Sequence, residues 1–117
     1  MQNNFYTDVG HIVFKYSDPR RFHCNGREIG SVHAGALATW TDLTTTLAIF
    51  AFDSKQRSEW VSLNISQDYP NAALPGKALY MKAAVRKIGR TLAFADCQIM
   101  DEKFRVASTG THKMTYI

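Results

Sequence analysis

The chain reads as an α+β protein in which an antiparallel β-sheet wraps one long central helix. Two observations predict this. The run from Ile29 to Phe52, IGSVHAGALATWTDLTTTLAIFAF, holds Asp42 as its only acidic or basic side chain, the pattern of a helix enclosed by other structure. After it come stretches of strand length with β-branched or aromatic centres, divided by turn-forming residues. A chain of 117 residues with 45% hydrophobic content buries one sizeable core, and two domains would each be marginal, so a single domain over 1–117 is expected.

Taken in order, Phe5 to Tyr16 (FYTDVGHIVFKY) forms two β-rich pieces around Val9-Gly10, an expected opening hairpin. Ser17 to Ser31 has Pro, Gly, Asn and charges without periodicity and reads as a loop. Ser31 or Gly30 is placed to cap a helix beginning near His33, and Leu37, Trp40, Leu43, Leu47 and Phe50 give it an apolar stripe for a core or a dimer interface. Asp53-Ser54 ends the helix. Strands are expected within Ser58–Ser66, Lys77–Ile88, Thr91–Met100 and Phe104–Ile117, with turns at Pro70–Gly76, Gly89-Arg90 and Asp101–Lys103. The last three strands should form an antiparallel meander, and a sheet around one helix is the economical arrangement.

Several classes of function are disfavoured. The start MQNNFYTDVGH lacks the basic and apolar regions of a secretory signal, so the mature chain is expected to begin near Met1. Six polar residues between Thr39 and Thr46 make the helix too polar for lipid on all sides, so no membrane insertion is expected. Cys24 and Cys97 stand far apart without metal-ligand spacing, which fits reduced thiols in an intracellular setting, cytoplasmic or mitochondrial, and predicts no metal site. The formal charge of +4 is broken up by acidic residues rather than gathered on a continuous basic face. No nucleic-acid partner is therefore expected, and a small anionic ligand accounts for the excess. No His-Asp arrangement or strand-turn-helix glycine pattern surrounds a serine, which argues against a serine hydrolase.

Asp42 carries the functional signal. A lone carboxylate in so apolar a run loses hydration on folding and needs either a partner or a chemical task. Thr39, Thr45 or a backbone group of a partner chain would serve as the partner. The task would be that of a desolvated general base or nucleophile.

The stretch Val32 to Asp42, VHAGALATWTD, resembles the VHGGxxATLxD segment of small hotdog-fold acyl-CoA thioesterases of the PaaI-like branch. Asn64-Ile65-Ser66 followed by Pro70 is similar to that family's strand after the helix, and Gly89 to Phe94, GRTLAF, to its G-K-T-L-A-F turn. The resemblance spans roughly residues 4 to 116. It departs from the family at Ala34, which replaces the first glycine of HGG; at Arg27, where the family tends to have Asn and this chain offers Asn25 nearby; and at Trp60, a position where some relatives have Ser or Thr, with Ser62 two residues on along the same strand face. No counterpart of the helix that precedes the domain in some relatives is expected in this sequence.

The resemblance implies an acyl-CoA thioesterase with coenzyme A as part of the substrate and no resident cofactor. Asp42 would be general base or nucleophile. Backbone N–H groups at the helix start, Ala34 first and Gly35 second, would hold the oxyanion. His33 would fix that turn or touch the thioester, and Asn25 and Ser62 are further catalytic candidates. Lys87, Gly89, Arg90 and Thr91, with His112 and Lys113, would receive the coenzyme A phosphates. His33 and Asp42 are nine residues apart, so a helix sets them on opposite sides and roughly 13 Å apart along its axis. The family answers this by pairing subunits, which implies a homodimer with two composite sites, assembled into a homotetramer. A hotdog protein that binds acyl-CoA or a protein partner without turnover is the competing reading.

Overall fold

Helix α1 (Ala34–Phe52) packs on one face of a five-stranded antiparallel sheet built from β1 (Gly10–Tyr16), β4 (Trp60–Asp68), β5 (Leu79–Ile88), β6 (Leu92–Met100) and β7 (Val106–Tyr116). The strand order is β1-β5-β6-β7-β4, which puts the expected meander in the centre and β4 on an edge. A separate two-stranded sheet joins β2 (Phe22–Cys24) and β3 (Arg27–Ile29). The computed structural model describes residues 10–16, 22–24, 27–29, 33–73 and 77–117.

One expectation for the N-terminal part is corrected. Residues 10–16 form one strand paired with β5, from Gly10↔Val85 to Tyr16↔Leu79, where the second piece of the opening hairpin was expected; residues 5–9, with the first piece and its turn, lie outside the described set. The supposed loop of 17–31 contains the β2–β3 pair, with Phe22 opposite Ile29 and Cys24 opposite Arg27. The signal was in the sequence, because Asn25-Gly26 is a dipeptide favoured between hairpin strands. Part of the Pro70–Gly76 turn, residues 74–76, also lies outside the described set.

The helix is capped from within. His33 is the N-cap, its Nδ1 accepting from the Gly35 N–H at 3.0 Å, where Ser31 or Gly30 was expected; those two residues lie outside the described set. Asp53 ends the helix as expected, its N–H donating to the Ile49 carbonyl at 3.0 Å.

The face of α1 that meets the sheet is Leu37, Thr41, Thr44, Thr45, Ala48 and Ile49, all buried. The stripe expected for a core or a dimer interface divides: Leu37 is buried and Trp40 half-buried, but Leu43 and Leu47 are each 49% exposed and Phe50 37%. Threonines can face the core because their hydroxyls bond to their own helix, Thr44 to the Trp40 carbonyl at 2.8 Å and Thr45 to the Thr41 carbonyl at 2.6 Å. The larger apolar side chains are thereby left facing outward in the single chain.

Small side chains let helix and sheet approach. Ala83, Ala93 and Ala95 are wholly buried around Ala48, Ile49, Trp60, Val85 and Met114, and a second cluster gathers Leu37, Leu79, Met81, Cys97 and Ile99. At Gly110 an added Cβ would lie 2.5 Å from Gln67 Oε1 and 3.0 Å from both the Ser66 carbonyl oxygen and Thr41 Cγ2, so a larger residue would have to push its neighbours aside where β7 passes beneath the helix. A bulge between Ser62 and Asn64 shifts the β4–β7 register. No helix among the described residues is long and apolar enough to cross a membrane.

Candidate active site

Asp42 stands midway along α1, half-buried in the single chain, and its Oδ1 accepts from the Thr46 hydroxyl at 3.3 Å. Of the expected partners Thr39 and Thr45, the first donates instead to the Gly35 carbonyl at 2.9 Å and the second to the Thr41 carbonyl. The carboxylate thus has one weak side-chain bond among the described residues and remains available for chemistry.

Facing the same part of the helix are Ser62 on β4 and His112 on β7. His112 has no exposed surface; Nδ1 lies 2.7 Å from Thr45 Oγ1 and Nε2 2.7 Å from Ser62 Oγ. Burial pushes the His112 proton affinity down and the charge of Asp42 pushes it back up, burial being the larger effect. His112 therefore does not reach a surface phosphate, as expected from sequence, because the alternation along β7 turns it inward beside buried Met114 while Lys113 points outward. A histidine does attend Ser62, but the other ring nitrogen meets Thr45 rather than a carboxylate, so no Ser-His-Asp arrangement forms among the described residues. A neighbouring polar group links the Gln67 amide to Thr41 Oγ1 at 2.8 Å and to Ser108, and Thr44 Oγ1 lies 3.4 Å from the Cys97 sulfur.

His33, Ala34 and Gly35 form the exposed start of α1. The Gly35 N–H is already committed to the His33 ring, and the Ala34 N–H has no partner among the described residues. Of the two candidate oxyanion donors, Ala34 is the one left open. The whole group sits about two and a half turns before Asp42 along the helix, so one chain separates them as the spacing required. Asn25, between β2 and β3, lies outside the described set.

The β5–β6 turn exposes Lys87, Arg90 and Thr91, with Gly89 half-buried. Lys87 and Lys113 flank Phe94 in register across β5, β6 and β7, so those two lysines share one row of the sheet. The turn is held rigidly: Arg57 donates to the Arg90 carbonyl at 2.7 Å and the Gly89 carbonyl at 3.0 Å, and the Tyr116 N–H to the Thr91 carbonyl at 2.9 Å. Arg57 is itself pinned to Asp53 at 3.0 Å and stacked over Trp60 and Tyr116. Trp60 is buried, with its indole N–H on Asp53 at 3.1 Å, so it belongs to this anchor rather than to the polar site.

A sheet wrapped on one helix, with an acidic residue at mid-helix and an open amide at its start, matches what the motifs implied. The family model of the thioesterase superfamily matches residues 29–108. The chain belongs to the thioesterase superfamily. Among curated relatives of this thioesterase-superfamily chain, a putative esterase of Caenorhabditis elegans is 30% identical over 96 residues, covering 81% of this chain and 54% of the relative. The chain thus spans about half the length of that relative. Human acyl-coenzyme A thioesterase 13 is 26% identical over 117 residues, covering 93% of this chain and 82% of the human protein. The crystal structure of zebra fish thioesterase superfamily member 2 superposes with a TM-score of 0.80 at 28% identity, covering 92% of this chain and 75% of that one. The fold is the hotdog fold.

Sequence reasoning named the carboxylate, the helix start and the turn of this thioesterase-superfamily member, gave His112 a surface role where the structure buries it, and did not name Arg57. His112 is 67 residues from Thr45 and 50 from Ser62, and nothing local marks such a contact. Arg57 follows Asp53 by four residues, a spacing that signals an ion pair, but its reach to the β5–β6 turn depends on tertiary packing.

Proposed function

We propose that the chain is an acyl-CoA thioesterase that hydrolyses acyl or aryl thioesters of coenzyme A to the free acid and the thiol. The observation that carries this reading is the Asp42 carboxylate at mid-helix of a thioesterase-superfamily fold, with one weak side-chain partner among the described residues and its charge felt by the buried His112. Asp42 acts as general base toward water, or attacks the carbonyl carbon directly. The oxyanion is received by the Ala34 N–H at the helix start of a second subunit, where the unpaired amide and the helix dipole both favour negative charge. The carbon–sulfur bond then breaks and the thiolate leaves.

The composite site needs a homodimer, and two features support one. Leu43, Leu47 and Phe50 form an exposed apolar row on α1, and β4 is an edge strand with Val61 and Leu63 exposed. Removing each of those leucines from water contributes on the order of 1 kcal/mol to association. Pairing of dimers into a homotetramer is part of the same reading. The coenzyme A phosphates dock on Lys87, Arg90 and Lys113, with Gly89 and Thr91 shaping the turn. The name of the human relative, an acyl-coenzyme A thioesterase, supports this substrate class.

The test is thiol release from short, medium, long and aryl acyl-CoA esters by the purified protein. Turnover of at least one ester is expected and names the acyl class. A folded dimer that binds these esters and turns over none of them would instead be a binding protein.

A further inference from the structure

Arg57 is committed to the β5–β6 turn, although the reaction proposed above gives it no part. Its Nε and Nη2 hold the two carboxylate oxygens of Asp53 at 3.0 and 3.3 Å, and the ring centroids of Trp60 and Tyr116 lie 4.6 and 5.0 Å from its central carbon. Fixed in this way, it donates from Nη1 to the Arg90 carbonyl at 2.7 Å and from Nη2 to the Gly89 carbonyl at 3.0 Å. The third carbonyl of the turn, that of Thr91, accepts from the Tyr116 N–H at 2.9 Å and from the Thr115 hydroxyl at 3.1 Å.

A carbonyl oxygen repels a phosphate and an amide N–H attracts it, so a turn binds anions only when it presents its N–H groups. Here all three carbonyls are drawn back into the fold, whereas the N–H groups of Arg90 and Thr91 have no partner among the described residues. The Arg90 side chain is exposed, and so is Lys87 close by: a Cβ added at Gly89 would lie 3.9 Å from Lys87 Cε. Between the turn and the chain after α1 lies a hollow of about 390 Å³ whose lining includes Lys55, Arg57 and Arg90. Asp53 also borders it, but Arg57 balances that charge, which leaves the hollow the positive charges of Lys55 and Arg90.

We propose that Arg57 is a positioning residue for the nucleotide end of the substrate: by drawing the Gly89 and Arg90 carbonyls inward, it leaves the Arg90 and Thr91 amides and the Lys87 and Arg90 cations to the coenzyme A phosphates. This rests on the acyl-CoA reading and names what gives its docking turn the required shape. Arg57 has Nε, Nη1 and Nη2 all engaged with Asp53 and the two carbonyls, so it acts through the turn. Arginine suits the task because its planar fork spans a carboxylate and two carbonyls at once. A lysine ammonium keeps the charge beside Asp53 but cannot reach all three.

The experiment compares hydrolysis of an acyl-CoA with that of the same acyl group on pantetheine, which lacks the phosphates. It uses the wild type, Arg57→Lys, Arg90→Ala and Lys87→Ala, with calorimetric binding of free coenzyme A alongside. In Arg57→Lys the KM for the acyl-CoA should rise about tenfold with little change in kcat, and the Kd for coenzyme A should weaken to match. The KM for the acyl-pantetheine should stay at its wild-type value, whereas a general loosening of the fold would harm both substrates alike. The double variant Asp53→Asn/Arg57→Met leaves no buried charge unpaired and carries the test if Arg57→Lys folds poorly. Wild-type KM for the acyl-CoA in Arg57→Lys, or equal losses on the two substrates, would overturn this inference and leave the thioesterase reading standing. Unchanged coenzyme A affinity in both Arg90→Ala and Lys87→Ala would overturn it too, because the phosphates would then dock away from the turn. A wild type that hydrolyses no ester would remove the thioesterase reading, and the coenzyme A affinities alone would then decide for or against Arg57.

Discussion

At the scale of single residues, what distinguishes Asp42 from the other polar groups of α1 is what remains unsatisfied. Thr44 and Thr45 spend their hydroxyl protons on carbonyls of their own helix, and His112 spends both ring nitrogens on neighbours. Among the described residues Asp42 has only the 3.3 Å bond from Thr46, so replacing it removes little that holds the fold. Asp42→Asn is therefore expected to keep the melting temperature within a few degrees while lowering kcat about a hundredfold or more, read by thermal unfolding and thiol release on the same sample. Ala34 offers an equally clean change. It is the first residue of α1, after a cap in extended conformation, a position proline accepts without strain. Ala34→Pro should fold normally and lose the oxyanion donor, with kcat down roughly a hundredfold.

At the scale of elements, the anchor below the helix C-terminus ties α1, β4, β7 and the β5–β6 turn together. Burial alone would raise the Asp53 pKa, but bonds from Arg57, Trp60 and two backbone N–H groups outweigh it and hold the carboxyl at about 2. Because the folded pKa is below the unfolded one, this stabilisation is complete above pH 3.8 and is lost as pH falls through about 2. Asp53→Ala leaves the largely buried Arg57 without its carboxylate and should cost about 3 kcal/mol, seen in urea unfolding at neutral pH and largely gone near pH 2. The strands and the helix were legible because each has its own period or composition, and boundaries moved by only a few residues. The β2–β3 pair was overlooked despite Asn25-Gly26, because the surrounding charges and proline outweighed it. The inward face of α1 was misread for a physical reason: pattern analysis treats threonine as polar, whereas a hydroxyl bonded to its own helix is buried without penalty. His112 was placed with the phosphate-binding groups because its neighbour Lys113 is basic, and strand alternation separates the two.

At the scale of the whole molecule, the proposed dimer has each chain supply half of each site, and α1 carries an exposed apolar row of Leu43, Leu47 and Phe50. Leu47 is 49% exposed in the single chain, so Leu47→Glu should leave the chain folded while separating the dimer and abolishing hydrolysis, with light scattering and circular dichroism reading the two effects. The central claim is that Asp42 of one subunit works with the Ala34 N–H of its partner. The most direct test refolds Asp42→Asn and Ala34→Pro together in equal amounts. Half of the random dimers are then mixed, and each mixed dimer has one intact site of two, so roughly a quarter of wild-type activity should return from two inactive parents. A mixture that exchanges subunits yet stays as inactive as its parents would contradict the composite site.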